Sequence, residues 1–177
     1  MTRKGFRLDQ REGMATVMFT DIADSSTLAG LVGDRAWAAR MEAHFTQIRQ
    51  RVEQAGGQFV KSLGDGTMSS FSTACAALEA AQHIQTDMAR QQEEPHLHLR
   101  IGMHTGDVIQ TKDDFFGSVV NKAARIGALA PPGAIFLSDA TQVMVGGSGF
   151  AFSDPIQTPL KGFDGDHTVF SLDWRGA

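Results

Sequence analysis

Asp21 and Asp65 are the two residues of this 177-residue chain whose type and setting point most directly to chemistry. Asp21 closes an apolar run, residues 14–19, that reads as a buried strand. Asp65 lies in Gly64-Asp65-Gly66, which reads as a tight turn between two short strands. Where a first strand lies beside such a hairpin, the two carboxylates can converge. Paired carboxylates at strand ends suit Mg²⁺ or Mn²⁺, hard cations that take oxygen ligands and keep open positions for phosphate. Each residue also has a plainer reading when taken alone: an ordinary turn aspartate for Asp65 and a helix-capping carboxylate for Asp21. His96, His98 and His104 alternate along one segment like a metal comb, but no further ligand motif accompanies them, and a polar strand face is the simpler reading.

The elements that must position these residues are legible in the hydrophobic pattern. Asp24, Ser25 and Ser26 offer N-caps for a helix. Trp37, Met41, Phe45, Ile48 and Val52 step by four, four, three and four, one apolar stripe of a helix that Gly56-Gly57 ends. Residues 58–63 and 67–71 read as the two strands of the hairpin. Ala77, Ala81, Ile84 and Met88 mark a second helix, in which Cys75 reads as a small core residue. Leu97, Leu99, Ile101 and Met103 alternate with polar residues, giving a strand with one buried face. A loop over 111–117 leads to a third helix over 119–129, stopped by Pro131-Pro132-Gly133. Residues 134–137 and 168–172 read as final strands, with a glycine-rich turn at 146–149 between them. Glu93 and Glu94 read as a solvated helix end. The order predicts an α+β fold: a ferredoxin-like βαββαβ core with a mainly antiparallel sheet. Residues 1–13 read as a flexible lead-in and 14–177 as one catalytic domain.

Composition narrows the function classes. The chain is 42% hydrophobic, enough for a core, and carries a net charge of −4, which argues against a broad nucleic-acid surface. One cysteine excludes an internal disulfide and fits a reducing compartment. No apolar run has the length of a membrane span, and the polar start lacks a signal-peptide core. The expectation is a cytoplasmic domain with neither nucleic acid nor membrane as partner.

Phe19-Thr20-Asp21-Ile22 and Lys61-Ser62-Leu63-Gly64-Asp65-Gly66 resemble the paired metal motifs of class III adenylyl cyclases. Residues 100–106, Arg-Ile-Gly-Met-His-Thr-Gly, are similar to that family's central strand. Residues 114–125, from Asp114-Phe115-Phe116-Gly117 to Ala124-Arg125, are similar to its nucleotide segment, and Leu160-Lys161-Gly162 to a phosphate-contact segment. Each motif is weak alone; their order and spacing over residues 14–174 are specific.

The resemblance implies the class III cyclase fold and an adenylyl cyclase that turns ATP into 3′,5′-cyclic AMP and pyrophosphate with two divalent ions, Mg²⁺ or Mn²⁺. It implies that Asp21, Asp65 and the Ile22 carbonyl hold the metals. Lys61 and Asp114 would read the base, Asn121 orient the ribose, and Arg125 stabilise charge on the α-phosphate. Arg100 and Lys161 become candidate triphosphate contacts. Backbone N–H groups over 22–26, Ser26 among them, would cradle phosphate at a helix start. Asn121 and Arg125, four apart, project from one helix face. Asp113 adjoins Asp114, and the spacing of seven to Asn121 favours Asp114.

Base choice follows from donors and acceptors. Lys61 donates and Asp114 accepts, which matches the ring nitrogen 1 and 6-amino group of adenine and opposes those of guanine. Mispaired buried polar groups discriminate by about 10⁴-fold. In the family the metal and base-reading residues come from opposite protomers, so a chain carrying both sets implies a head-to-tail homodimer with shared active sites. Two readings compete: a guanylyl or mixed-specificity cyclase, which Lys61 and Asp114 oppose, and an inactive nucleotide-binding domain, which would be expected to have lost one of these residues. Two departures from the family stand out. Residues 23–26 read Ala-Asp-Ser-Ser where many members have Gly-Phe, and the chain has no tyrosine.

Overall fold

The structure, a computed structural model, describes residues 11–112 and 114–175. Strand β1 (Arg11–Ile22) starts three residues before the apolar run, because its pairing with the central strand β4 (Leu99–Gln110) continues to Arg11 opposite Gln110. Arg11, Glu12 and Gly13 are therefore strand rather than lead-in; the rest of the predicted lead-in, residues 1–10, lies outside the described residues. Helix α1 (Ser25–Val32) is a separate short helix, parted from α2 (Asp34–Gln54) at Gly33, whose φ of 93° a side chain would resist. The hairpin β2 (Gln58–Leu63) and β3 (Gly66–Phe71) follows, then α3 (Ala74–Arg90), whose Thr73 hydroxyl caps the Ala76 N–H. After β4 come β5 (Phe115–Phe116), α4 (Ser118–Leu129), β6 (Ile135–Ser138), α5 (Asp139–Met144), β7 (Ile156–Pro159) and β8 (Asp166–Ser171).

These strands form one sheet in the order β2-β3-β1-β4-β6-β8-β7, with β5 paired to β4. Among the described residues only the β4–β6 pair is parallel. The first four strands in that order are the ferredoxin-like core, and the α+β expectation holds.

Why β1 reads as a continuous apolar run is now clear: both of its faces are covered. Met18 and Ile22 join a core with Ile48, Val52, Leu78, Ile84, Ile101 and Leu137 on the α2–α3 side. Ala15 and Val17 face a second cluster with Met68, Val108, Phe115, Val119 and Ala123 on the α4 side. Alanines at 74, 77, 80 and 81 let α3 lie close to the sheet.

Helix α4 is seated by glycine. A Cβ on Gly102 would come within 2.1 Å of the Gly127 backbone nitrogen, and one on Gly106 within 2.6 Å of a Val119 methyl. Gly102 thus lets helix backbone rest on strand backbone, and Gly106 leaves room for the Val119 side chain. Gly102→Ala is expected to destabilise the domain by about 3 kcal/mol through overpacking, read as a lowered denaturation midpoint. A loss under about 1 kcal/mol would mean that α4 can shift at little cost.

Candidate active site

The turn carrying Asp65 lies against the end of β1. Thr20 pairs with Thr67 in the ladder, and their hydroxyls hydrogen-bond at 2.7 Å. A Cβ on Gly66 would sit 2.7 Å from the Thr20 carbonyl and 3.7 Å from the Asp21 Cβ. That approach requires glycine at 66, and it brings the two carboxylates to one cleft. Asp21 and Asp65 line it with Thr20, Thr67, Arg100 and Ala124.

Asp21 does not cap a helix. It stands opposite Arg100 in the β1–β4 register, and Arg100 Nε donates to its Oδ1 at 3.0 Å. Burial raises the pKa of Asp21; Arg100 lowers it by charge and hydrogen bond, and Asp65 raises it again, leaving it above the ordinary carboxylate value. Two carboxylates facing one guanidinium leave negative charge to be neutralised. Among the described residues no three His, Cys, Asp or Glu side chains gather into a metal-ligating group. Asp21 and Asp65 are the carboxylates this cleft offers, and carboxylate oxygens are donors that suit hard divalent cations taking further ligands from a phosphate substrate.

A second pair forms beyond the hairpin. The β2–β3 register slips between Phe59 and Lys61, a bulge of the kind that re-aims a side chain. The β4–β5 hairpin arches toward β2, with Gln110 donating to Gln58 at 3.4 Å. At its tip the Thr111 N–H donates to the Asp114 carbonyl at 2.8 Å, and the Asp114 N–H donates to the Thr111 hydroxyl at 3.2 Å. There Lys61 Nζ donates to Asp114 Oδ2 at 2.8 Å. Burial pushes the Asp114 carboxyl up, but the Lys61 hydrogen bond, the Phe115 N–H and the Lys61 charge outweigh it and hold it below its ordinary value. Asp114 is an ionised acceptor near neutral pH. Asp113 lies outside the described residues.

Other expected residues do not line this cleft. Asn121 and Arg125 are exposed on α4, and neither side chain has a hydrogen bond or ion pair among the described residues; Lys161 is exposed in a turn. Ile22 points into the core, so its backbone carbonyl is what it can offer a ligand. Of the N–H groups over 22–26, that of Ala23 is already committed to the His98 carbonyl at 2.9 Å. Asp24 holds the N-cap position of α1 at φ 57° without a side-chain bond, and exposed Ser26 is in the first turn.

Of the three histidines only His104 lies in a strand, β4; His96 and His98 precede it. His104 Nδ1 is hydrogen-bonded to the Ser138 hydroxyl, and burial lowers its pKa to about 4; the His96 and His98 rings meet tilted at 55°, centroids 4.7 Å apart. Glu93 lies beyond the end of α3 and pairs with the buried Arg40 at 3.3 Å. The Arg100–Asp21 pair went unread in the sequence. The signal that finds it is strand register: once β1 and β4 are antiparallel partners, the two motifs face each other.

Fold and cleft together define a ferredoxin-like domain with an acidic strand-end site of the nucleotidyl cyclase class. Residues 8–173 match the family described as adenylate and guanylate cyclase catalytic domain, and the chain belongs to that family. A solved structure, the adenylate/guanylate cyclase/hydrolase from Silicibacter pomeroyi, is 30% identical with a TM-score of 0.83, covering 92% of this chain and 98% of that one. The putative adenylate cyclase 3 of Rhizobium meliloti (strain 1021) is 39% identical over 95 residues, 51% of this chain and 16% of that protein. An adenylate cyclase of Streptomyces coelicolor is 31% identical over 124 residues, 70% of this chain and 32% of that protein. The chain thus spans a third or less of these curated relatives. Among the described residues no helix is long and apolar enough to cross a membrane.

Proposed function

We propose that this domain forms 3′,5′-cyclic AMP and pyrophosphate from ATP, as a head-to-tail homodimer with two shared sites. The observation that carries the reading is the Lys61–Asp114 pair, a donor and an ionised acceptor side by side. Relatives named adenylate cyclases support it.

Asp21, Asp65 and the Ile22 carbonyl would hold two divalent ions, Mg²⁺ or Mn²⁺. When bound, such ions supply Lewis-acid activation of the ribose 3′-hydroxyl and neutralise the triphosphate. Lys61 Nζ donates to adenine ring nitrogen 1, and Asp114 accepts from the 6-amino group. Asn121 and Arg125 reach the site across the dimer interface, which accords with their exposure on α4. Asn121 fixes the ribose, aiming its 3′-oxygen at the α-phosphate. Arg125 meets the charge that grows on the α-phosphate oxygens, where a preplaced guanidinium is worth about 10²–10³ in rate. Arg100 and Lys161 hold the remaining phosphates, with the backbone N–H groups at the start of α1, that of Ser26 included. The same reading puts the domain in the cytoplasm, where ATP is available, and gives it no nucleic-acid partner.

The test is product formation from ATP and from GTP in Mg²⁺ and Mn²⁺. Cyclic AMP is expected, with GTP slower by about 100-fold or more. Lys61→Glu with Asp114→Ser is expected to reverse the preference toward GTP. Equal rates on both nucleotides, unmoved by the double substitution, would remove these residues from base selection. Cyclic GTP from the unaltered domain would favour the guanylyl reading.

A further inference from the structure

Arg100 is the one cation lining the acidic cleft among the described residues. Its Nε bonds to Asp21 Oδ1 at 3.0 Å, with the arginine side chain 33% and the aspartate 40% exposed. The strand register makes them direct cross-strand partners, so the contact is built into the sheet rather than reached by a wandering side chain. Asp65 faces the same cleft without an ion-pair partner among the described residues.

A divalent ion and a guanidinium cannot share one carboxylate oxygen cheaply, because both are positive. An ion that takes Asp21 Oδ1 must displace Arg100. A bare ion offers the displaced guanidinium nothing. A metal–nucleotide complex brings phosphate oxygens that accept Arg100 in a charge-assisted bond. We infer that Arg100 is a positioning residue that latches Asp21 until nucleotide arrives, and so makes metal and nucleotide binding to this cleft positively cooperative. This rests on the proposed metal role of Asp21. The coupling lies in one side chain with two alternative partners, which is what a coupling free energy between two ligands requires.

Mn²⁺ binding to the purified dimer, followed by electron paramagnetic resonance without nucleotide, tests the latch. Affinity for the Mn²⁺ complex of 3′-deoxy-ATP, which lacks the attacking hydroxyl, is measured in parallel. Arg100→Gln is expected to bind bare Mn²⁺ roughly tenfold more tightly than the unaltered domain, and the nucleotide complex roughly tenfold more weakly. Opposite signs mark the latch, since a merely structural loss would weaken both. Arg100→Lys keeps the charge but not the guanidinium fork, and is expected to remain within about threefold of the unaltered domain for bare Mn²⁺. Bare-metal affinity that is unchanged or weaker in a folded Arg100→Gln dimer would overturn the latch while leaving the metal site standing. Metal binding indifferent to Asp21→Asn, with and without nucleotide, would overturn the metal site and the latch with it.

Discussion

Asp65→Ala is expected to reduce cyclic AMP formation by about 10³-fold or more while the domain stays folded. The reason is that structure and chemistry separate cleanly at this residue. The hairpin is shaped by its neighbours: Gly64 adopts φ 62°, and Gly66 lies against the Thr20 carbonyl. The Asp65 carboxylate makes no hydrogen bond or ion pair among the described residues. Removing it orphans nothing and relieves repulsion with Asp21, so thermal stability should hold or rise slightly. Asp21→Ala should be equally inactive, but it strands Arg100 and should lower stability by about 1 kcal/mol or less, because the pair is half exposed. A folded Asp65→Ala protein retaining a tenth of its activity would remove the turn from the site.

Mixing Asp21→Ala chains with Arg125→Ala chains, each inactive alone, is expected to restore about a quarter of normal activity. Random exchange makes about half the dimers mixed, and each mixed dimer has one unaltered site of two. The structural motive is that Asp21 lines the cleft with Asp65 and Arg100, whereas Arg125 and Asn121 are exposed on α4 and do not line it, although Ala124 of that helix does. Restored activity read as cyclic AMP, in proportion to mixed dimer, would establish the shared site. Two folded, dimerising variants that stay inactive together would assign both residues to one chain's site.

The sequence made the long periodic elements readable and hid the short ones. The stripe from Trp37 to Val52 and the alternation before Met103 each bury a face, and burial imposes a period. α5 has six residues, too few to show one. β7 has four mostly exposed residues ending in proline, and β5 has two; both exist because a neighbouring strand offers a ladder. β1 overran its apolar run for the same reason. In the site, Lys61 and Asp114 were legible as a donor and an acceptor, since residue type carries that chemistry. Their contact depends on a bulge and an arching hairpin, which no local pattern encodes. Arg100 was legible as a candidate phosphate contact only through the family resemblance, and its grip on Asp21 depends on which strand became the neighbour of β1.

The seating of Gly127 on Gly102 has a mechanical consequence. Most helices ride on side chains that can change rotamer and absorb small displacements of the sheet. At this one crossing the contact is main chain against main chain, while Val119, Ala123 and Ile126 pack the rest of the helix through side chains. At that crossing a tilt of β4 reaches the backbone of α4 with less slack than a side-chain contact would leave. In a dimer where Asn121 and Arg125 of that helix serve the opposite protomer, a disturbance of one sheet would be felt at the neighbour's reaction centre.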